Sequence, residues 1–152
     1  MTPGCPELQA KSKFETLAIT AGETALPELV SLAKKNKRLD FLKRLKDCDK
    51  QLVNQAGGQG ETALMWWACH GDAEMVAILL KKGADVHKAD WMDCTALLYA
   101  ALACKPSAAK LLVNAGASVN SANSAGQTPI KAAARCKGTE LVGLLKASLS
   151  EK

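Results

Sequence analysis

The sequence predicts an all-α fold in which helical hairpins stack in a line, and three observations carry that prediction. The triplets Thr62-Ala-Leu, Thr95-Ala-Leu and Thr128-Pro-Ile recur every 33 residues, a period that marks stacked repeat units rather than a single closed core. The run Gly83-Ala-Asp-Val-His returns as Gly116-Ala-Ser-Val-Asn at the same interval, so two independent phases agree. Hydrophobic residues make up 48% of the 152 residues, yet only 3 Trp, 1 Tyr and 2 Phe are among them. Ala and Leu must therefore carry the packing, and both are strong helix formers.

Each element follows from this frame. Residues 24–55 read as a divergent capping repeat. Gly22-Glu-Thr-Ala-Leu26 duplicates Gly60-Glu-Thr-Ala-Leu64, but 38 residues upstream and with Pro27 next, where a helix interior rejects it. Leu39, Phe41, Leu42 and Leu45 are spaced as a second helix, and Leu52-Val53-Asn54 closes the unit. An extra helix is expected over 6–20 within the 1–23 segment, from Leu8, Phe14, Leu17 and Ala18. In the units 56–88, 89–121 and 122–152, Thr62, Thr95 and Thr128 can cap a first helix by accepting from an unpaired backbone N–H. Pro129 fits the first helical position, where its missing donor is harmless. Leu64, Leu97 and Ile130, with Ala68, Ala101 and Ala134 four residues on, place one apolar ridge per unit on one helical face. Val76/Leu79/Leu80, Ala109/Leu112/Val113 and Val142/Leu145 do the same for the second helices. Gly83 and Gly116 stand as left-handed stops. The last unit has Lys146 in place of Leu80 and Val113 and no further Gly-Ala-x-Val turn, as a polar terminal cap should.

The stretch from Gly60 to His87, Gly-Glu-Thr-Ala-Leu-Met-Trp-Trp-Ala-Cys-His-Gly-Asp-Ala-Glu-Met-Val-Ala-Ile-Leu-Leu-Lys-Lys-Gly-Ala-Asp-Val-His, resembles one ankyrin repeat. The likeness is strong over 56–88 and 89–121, good over 122–146 and weaker upstream. It implies an ankyrin-repeat solenoid of paired antiparallel helices joined by hairpin-like finger loops, and binding rather than chemistry. By register, the family's variable contact positions fall on Gln59, Glu61 and His70 in one unit, on Trp91, Met92 and Leu102 in the next, and on Ser124, Gln127 and Arg135 in the last. Asn120, in its Ser-Val-Asn turn, resembles positions that are hydroxylated in some ankyrin proteins.

Parts for catalysis are missing. An enzyme needs a nucleophile with a base, a metal cluster or a phosphate cradle, whereas the chain has 2 His and no G-x-S-x-G turn. Gly58-Gln-Gly60-Glu-Thr-Ala63 fits a dinucleotide fingerprint in letters only, since that motif requires an acid about 20 residues on, where Leu79, Leu80 and Lys81 stand. No catalytic residue, cofactor or metal is expected. The six cysteines form no C-x-x-C pair, and Cys69, Cys104 and Cys136 fall near first-helix ends as a ladder along one face. Packed helices lie about 8–10 Å apart, too far for a disulfide, so free thiols are expected. The amino terminus lacks the basic start and apolar run of a signal peptide. The longest apolar run, Ala96 to Cys104, is nine residues, short of the roughly 18 that span a bilayer. A cytoplasmic protein, with the nucleus as alternative, is the expectation.

Two surface features remain. Trp91-Met92 stands at a finger tip where the counterpart Ser124-Ala125 is polar, which suits a partner contact unless the indole folds back onto a neighbour. Trp66 and Tyr99 share one register position and can floor the groove, while Trp67 replaces a small residue and reads as core. Lys34 to Lys50 carries eight bases against Asp40, Asp47 and Asp49, and the other residues sum to zero. Lys34, Lys35, Lys37, Arg38, Lys43 and Arg44 are thus candidate contacts for an acidic ligand, although a solvated cap face is the plainer reading. Nucleic acid is disfavoured, because the run interleaves a single aromatic, Phe41, with its bases. The expected function is a non-enzymatic protein-binding module, monomeric or in a heteromeric complex. The alternatives are an inhibitor or assembly chaperone that masks an enzyme or subunit, and an acidic-ligand binder.

Overall fold

A computed structural model describes residues 28–150; the expected helix over 6–20 and the Gly22–Leu26 duplicate lie outside that range. The described residues form nine helices: α1 Glu28–Lys34, α2 Arg38–Leu45, α3 Lys50–Val53, α4 Ala63–His70, α5 Ala73–Lys81, α6 Ala96–Leu102, α7 Pro106–Asn114, α8 Pro129–Ala133 and α9 Glu140–Ser150. An isolated antiparallel bridge, Ala89 to Thr95, is the only β pairing among them. Inner helices α1, α4, α6 and α8 stack in sequence, each paired with an outer helix α2, α5, α7 or α9. The one-turn helix α3 leads into the first finger.

Small residues let the inner row close up. Ala63, Ala68, Ala96, Ala100, Ala101 and Ala133 are essentially inaccessible, and Leu64, Leu97 and Leu98 fill the spaces between them. Trp67 is fully buried as expected and meets Phe41 edge-on at 5.2 Å. Burying an indole removes 150–250 Å² from water, or about 4–6 kcal/mol. That exceeds the roughly 1–3 kcal/mol forfeited because its Nε1 has no acceptor. Leu39, placed in the apolar set of the second helix, is instead 74% exposed. It lies in the first turn of α2, while Phe41 and Leu45, four apart, take the buried face.

Helix starts follow the sequence with one exception. Thr95 and Thr128 accept from the N–H groups of Leu98 and Lys131 at 3.4 and 3.3 Å, and Asp72 caps α5 through Met75. The hydroxyl of Thr62 makes no hydrogen bond; its N–H donates to Met65 Sδ instead. Chain reversals between inner and outer helices use left-handed backbone at one register: Gly71 at φ 77° and Cys104 at φ 56°, with Asn36 at φ 53° ending α1.

The free-thiol expectation is overturned. Cys104 and Cys136 form a disulfide with Cα atoms 5.7 Å apart, and Cys69 is disulfide-bonded as well. Helix-to-helix spacing was the wrong yardstick, because neither residue of the pair lies on a helix. Cys104 sits in the turn after α6, and α8 stops at Ala133, before Cys136. The ladder is not one register either: Cys69 aligns with Leu102, Cys136 with Ala103, and Cys104 with Gly71. Cys48 and Cys94 are free and buried.

Candidate functional site

The finger loops share one backbone plan. Gly57 N–H donates to Glu61 O, Asp90 N–H to Cys94 O and Asn123 N–H to Gln127 O, each at 2.7–3.1 Å. The tip turns left-handed at Gly60, Asp93 and Gly126. Neighbouring fingers are linked by main-chain bonds in register: Trp91 N–H to Gln59 O at 3.0 Å and Ser124 N–H to Met92 O at 2.9 Å. The tips therefore form one continuous hydrogen-bonded edge.

Side chains that brace each tip come from different places. Asp90 Oδ1 accepts from the N–H groups of Met92 and Cys94, and Asn123 Oδ1 accepts from those of Ala125 and Gln127, at 2.9–3.0 Å. The first finger has Gly57 at this register, so it lacks such a side chain. Glu61 reaches back instead, its Oε2 accepting from Gln59 N–H at 2.8 Å. Its carboxyl fills the space beside Gly57, where a Cβ would lie 2.7 Å from Glu61 Cδ. Glu61 is only 4% exposed, which corrects its placement among surface contacts: its head group is committed to the loop.

The other candidates divide by element. On the tips, Gln59 and Ser124 are exposed, Gln127 is half-buried, Trp91 is 76% and Met92 54% exposed. Trp91 leans on the tip of the preceding finger, with its Cδ1 2.9 Å from where a Gly60 Cβ would be. It thus stands on its neighbour yet leaves most of the ring open. Ser124 Oγ donates to Asp93 Oδ2 at 2.9 Å. At the far ends of the inner helices, His70 and Leu102 are half-buried and Arg135 is exposed. His70 Nε2–H donates to Ala33 O at 2.9 Å, which ties α4 to α1.

Between tips and helix ends, Trp66 and Tyr99 pack edge-on at 6.0 Å and are each 5% exposed. They are walls of the core more than an open floor. The Tyr99 hydroxyl donates to Asp90 Oδ2 at 2.7 Å. Burial first, and this bond second, push its ionisation far above the ordinary tyrosine range. Burial likewise raises the Cys94 thiol.

The basic segment is partly matched within the protein. Arg38 pairs with Asp72 and Glu74, and Arg44 with Glu28. Lys34 Nζ lies 5.3 Å over the Trp66 ring, and Lys35 also has a partner. Lys37 and Lys43 are exposed, and Lys43 shares its face with Glu28, Asp40 and Asp47. Among the described residues, no group of His, Cys, Asp or Glu is arranged to hold a metal, and no helix is long and apolar enough to cross a membrane.

Comparison with known proteins agrees with this geometry. The chain is 38% identical over 78 residues to the E3 ubiquitin-protein ligase Ufd4 of Drosophila melanogaster, a match covering 51% of this chain and 3% of that protein. The chain therefore spans a very small part of the relative it matches. A family model for ankyrin repeats, three copies, matches residues 29–123, ending within the third finger, while α8 and α9 continue the same stacking beyond it. Ankyrin repeats are generally protein–protein interaction modules and typically lack catalytic activity. With three copies matched across most of its length and the helical stack continuing through a fourth unit, the chain belongs to the ankyrin repeat family.

Proposed function

We propose that this chain is a non-catalytic module that grips a protein partner at its finger tips, with Trp91 and Met92 as the anchor. One observation carries the reading: two large apolar side chains, 76% and 54% exposed, stand on backbone hydrogen-bonded to the fingers on either side. Exposed apolar surface on a mobile loop would lose much of its gain to ordering, whereas a pre-braced loop forfeits little on binding. A tryptophan closed into an interface contributes about 2 kcal/mol or more, or roughly 30-fold in affinity. Gln59, Ser124, Gln127 and Arg135 would extend the contact along the array. The test is titration of a partner captured from native extract against Trp91→Ala. A loss of roughly 30-fold with an unchanged circular dichroism spectrum is expected, and equal affinity would refute the assignment.

The same surface would serve an inhibitor or assembly chaperone; a stable one-to-one complex with altered client activity would mark that role. An acidic ligand on 34–50 is less well supported, because Arg38 and Arg44 already hold carboxylates. Its signature would be binding that weakens steeply with salt. The cytoplasmic expectation rested on the lack of a signal-peptide pattern; the Cys104–Cys136 bond would persist in an oxidising compartment and be open to reduction in a reducing one.

A further inference from the structure

We propose that the Cys104–Cys136 disulfide is a redox latch on the C-terminal repeat, opened by a dithiol reductant to release residues 129–150 from the third repeat. The position of Cys104 is the first reason. It occupies the left-handed turn between α6 and α7, at φ 56°, where Gly71 stands one unit earlier at φ 77°. L-residues with a Cβ are disfavoured in that conformation, so the turn itself does not call for cysteine; the bond gives the residue its role.

What the bond holds is the second reason. Helix α8 has five residues, the shortest inner helix described, and α9 packs mainly on α7 and α8. Leu141 and Leu145 are the only buried residues of α9. In a linear array each unit is held by the neighbours it packs on, and so small a buried face gives this unit little hold on the third repeat. Cys136 Sγ also lies 3.4 Å from Ala101 O, so the link joins the end of α8 directly to the third repeat.

Access is the third reason. Cys104 and Cys136 are half-buried, whereas the bonded Cys69 and the free Cys48 and Cys94 are buried, and exchange needs approach of a thiolate to a sulfur. A thiolate of the reductant attacks one sulfur, the S–S bond breaks, and the other cysteine leaves as a thiolate that takes up a proton. The second thiol of the reductant, deprotonated, then displaces the first cysteine. Two electrons pass from dithiol to disulfide, leaving two cysteine thiols and an oxidised reductant. Opening removes the closed loop between two positions 32 residues apart, and the chain entropy thus restored favours undocking of residues 129–150.

Hydrogen exchange read by mass spectrometry on the full chain, oxidised and after dithiothreitol under native conditions, tests the latch. Amides of α9 should exchange roughly 100-fold faster after reduction, with those of α4 and α6 unchanged. The double variant Cys104→Gly, Cys136→Ala should exchange fast in α9 with or without reductant, while keeping the oxidised pattern in α4 and α6. Equal protection of α9 in the two redox states, loss spread evenly over the chain, or a double variant that remains protected in α9 would each overturn the proposal.

Discussion

The first and second fingers have the same backbone shape and opposite means of holding it. In the second finger the bracing carboxylate, Asp90, stands at the start of the loop, accepts two loop N–H groups and is itself pinned by Tyr99 from α6. The first finger has Gly57 at that place, and Glu61 braces it from the far end with one N–H. At the register of Tyr99 stands Trp66, whose Nε1 is buried without an acceptor. What the repeats share is therefore a set of backbone donors that must be satisfied, and the satisfying group is free to come from either side of the loop. A partner would meet two fingers of equal shape and unequal bracing.

The largest expected effect removes the odd brace. Glu61→Ala should destabilise by about 2 kcal/mol, since a buried charge-assisted hydrogen bond is lost and the N–H it served is left exposed or unpaired; urea unfolding measures it. Gly57→Asp alone should also destabilise, because its Cβ meets the Glu61 carboxyl at 2.7 Å. Combining the two should recover most of the loss by rebuilding the arrangement of the second finger. A double variant no more stable than Glu61→Ala would break the equivalence of the fingers.

Next comes the pin on the other brace. Tyr99→Phe should cost about 1 kcal/mol. With a single tyrosine in the chain, tyrosinate absorbance reports this group alone. Its folded-state ionisation lies above the unfolded value of about 10, so the wild type should keep full stability below that pH and lose it as pH rises beyond. Tyrosinate should appear only with unfolding, and in Tyr99→Phe this contribution to alkaline destabilisation should vanish. Early, reversible tyrosinate formation in the folded protein would contradict the geometry.

The smallest effect concerns the joints behind the fingers. Asn54 Nδ2 donates to Gly83 O, and its Oδ1 accepts from Asp85 N–H, at 2.9 and 2.7 Å. One unit later His87 stands in its place, exposed. His87→Asn should add about 0.5 kcal/mol by bonding Gly116 and Ser118 in the same way, read as a rise of a degree or two in Tm. No gain would mean that the second joint differs in backbone as well as side chain.

These comparisons also show which parts of the molecule could be read from the letters. The 33-residue period placed α4 to α9, because helix starts at Thr95 and Thr128 and the left-handed stops at Gly83 and Gly116 depend on neighbours a few residues away. Long-range side-chain assignments were not accessible in this way. Glu61 was legible as a surface position by register, and only the void beside Gly57 draws it inward. Leu39 fits an apolar period, yet the first turn of α2 leaves it in water. The disulfide was missed because the spacing rule for helix axes was applied to Cys104, which lies in a turn that brings its backbone within reach of Cys136. Trp91 was singled out by contrast with Ser124, a signal the sequence does contain.

The contact of Trp91 with Gly60 bears on any attempt to treat these units as interchangeable cassettes. The surface carried by the third unit is seated on bare backbone of the second, so transplanting 89–121 into another array would carry the tryptophan but leave its footing behind. A recipient with a side chain in place of Gly60 would tilt the indole away, and the graft would fold correctly while presenting a different face.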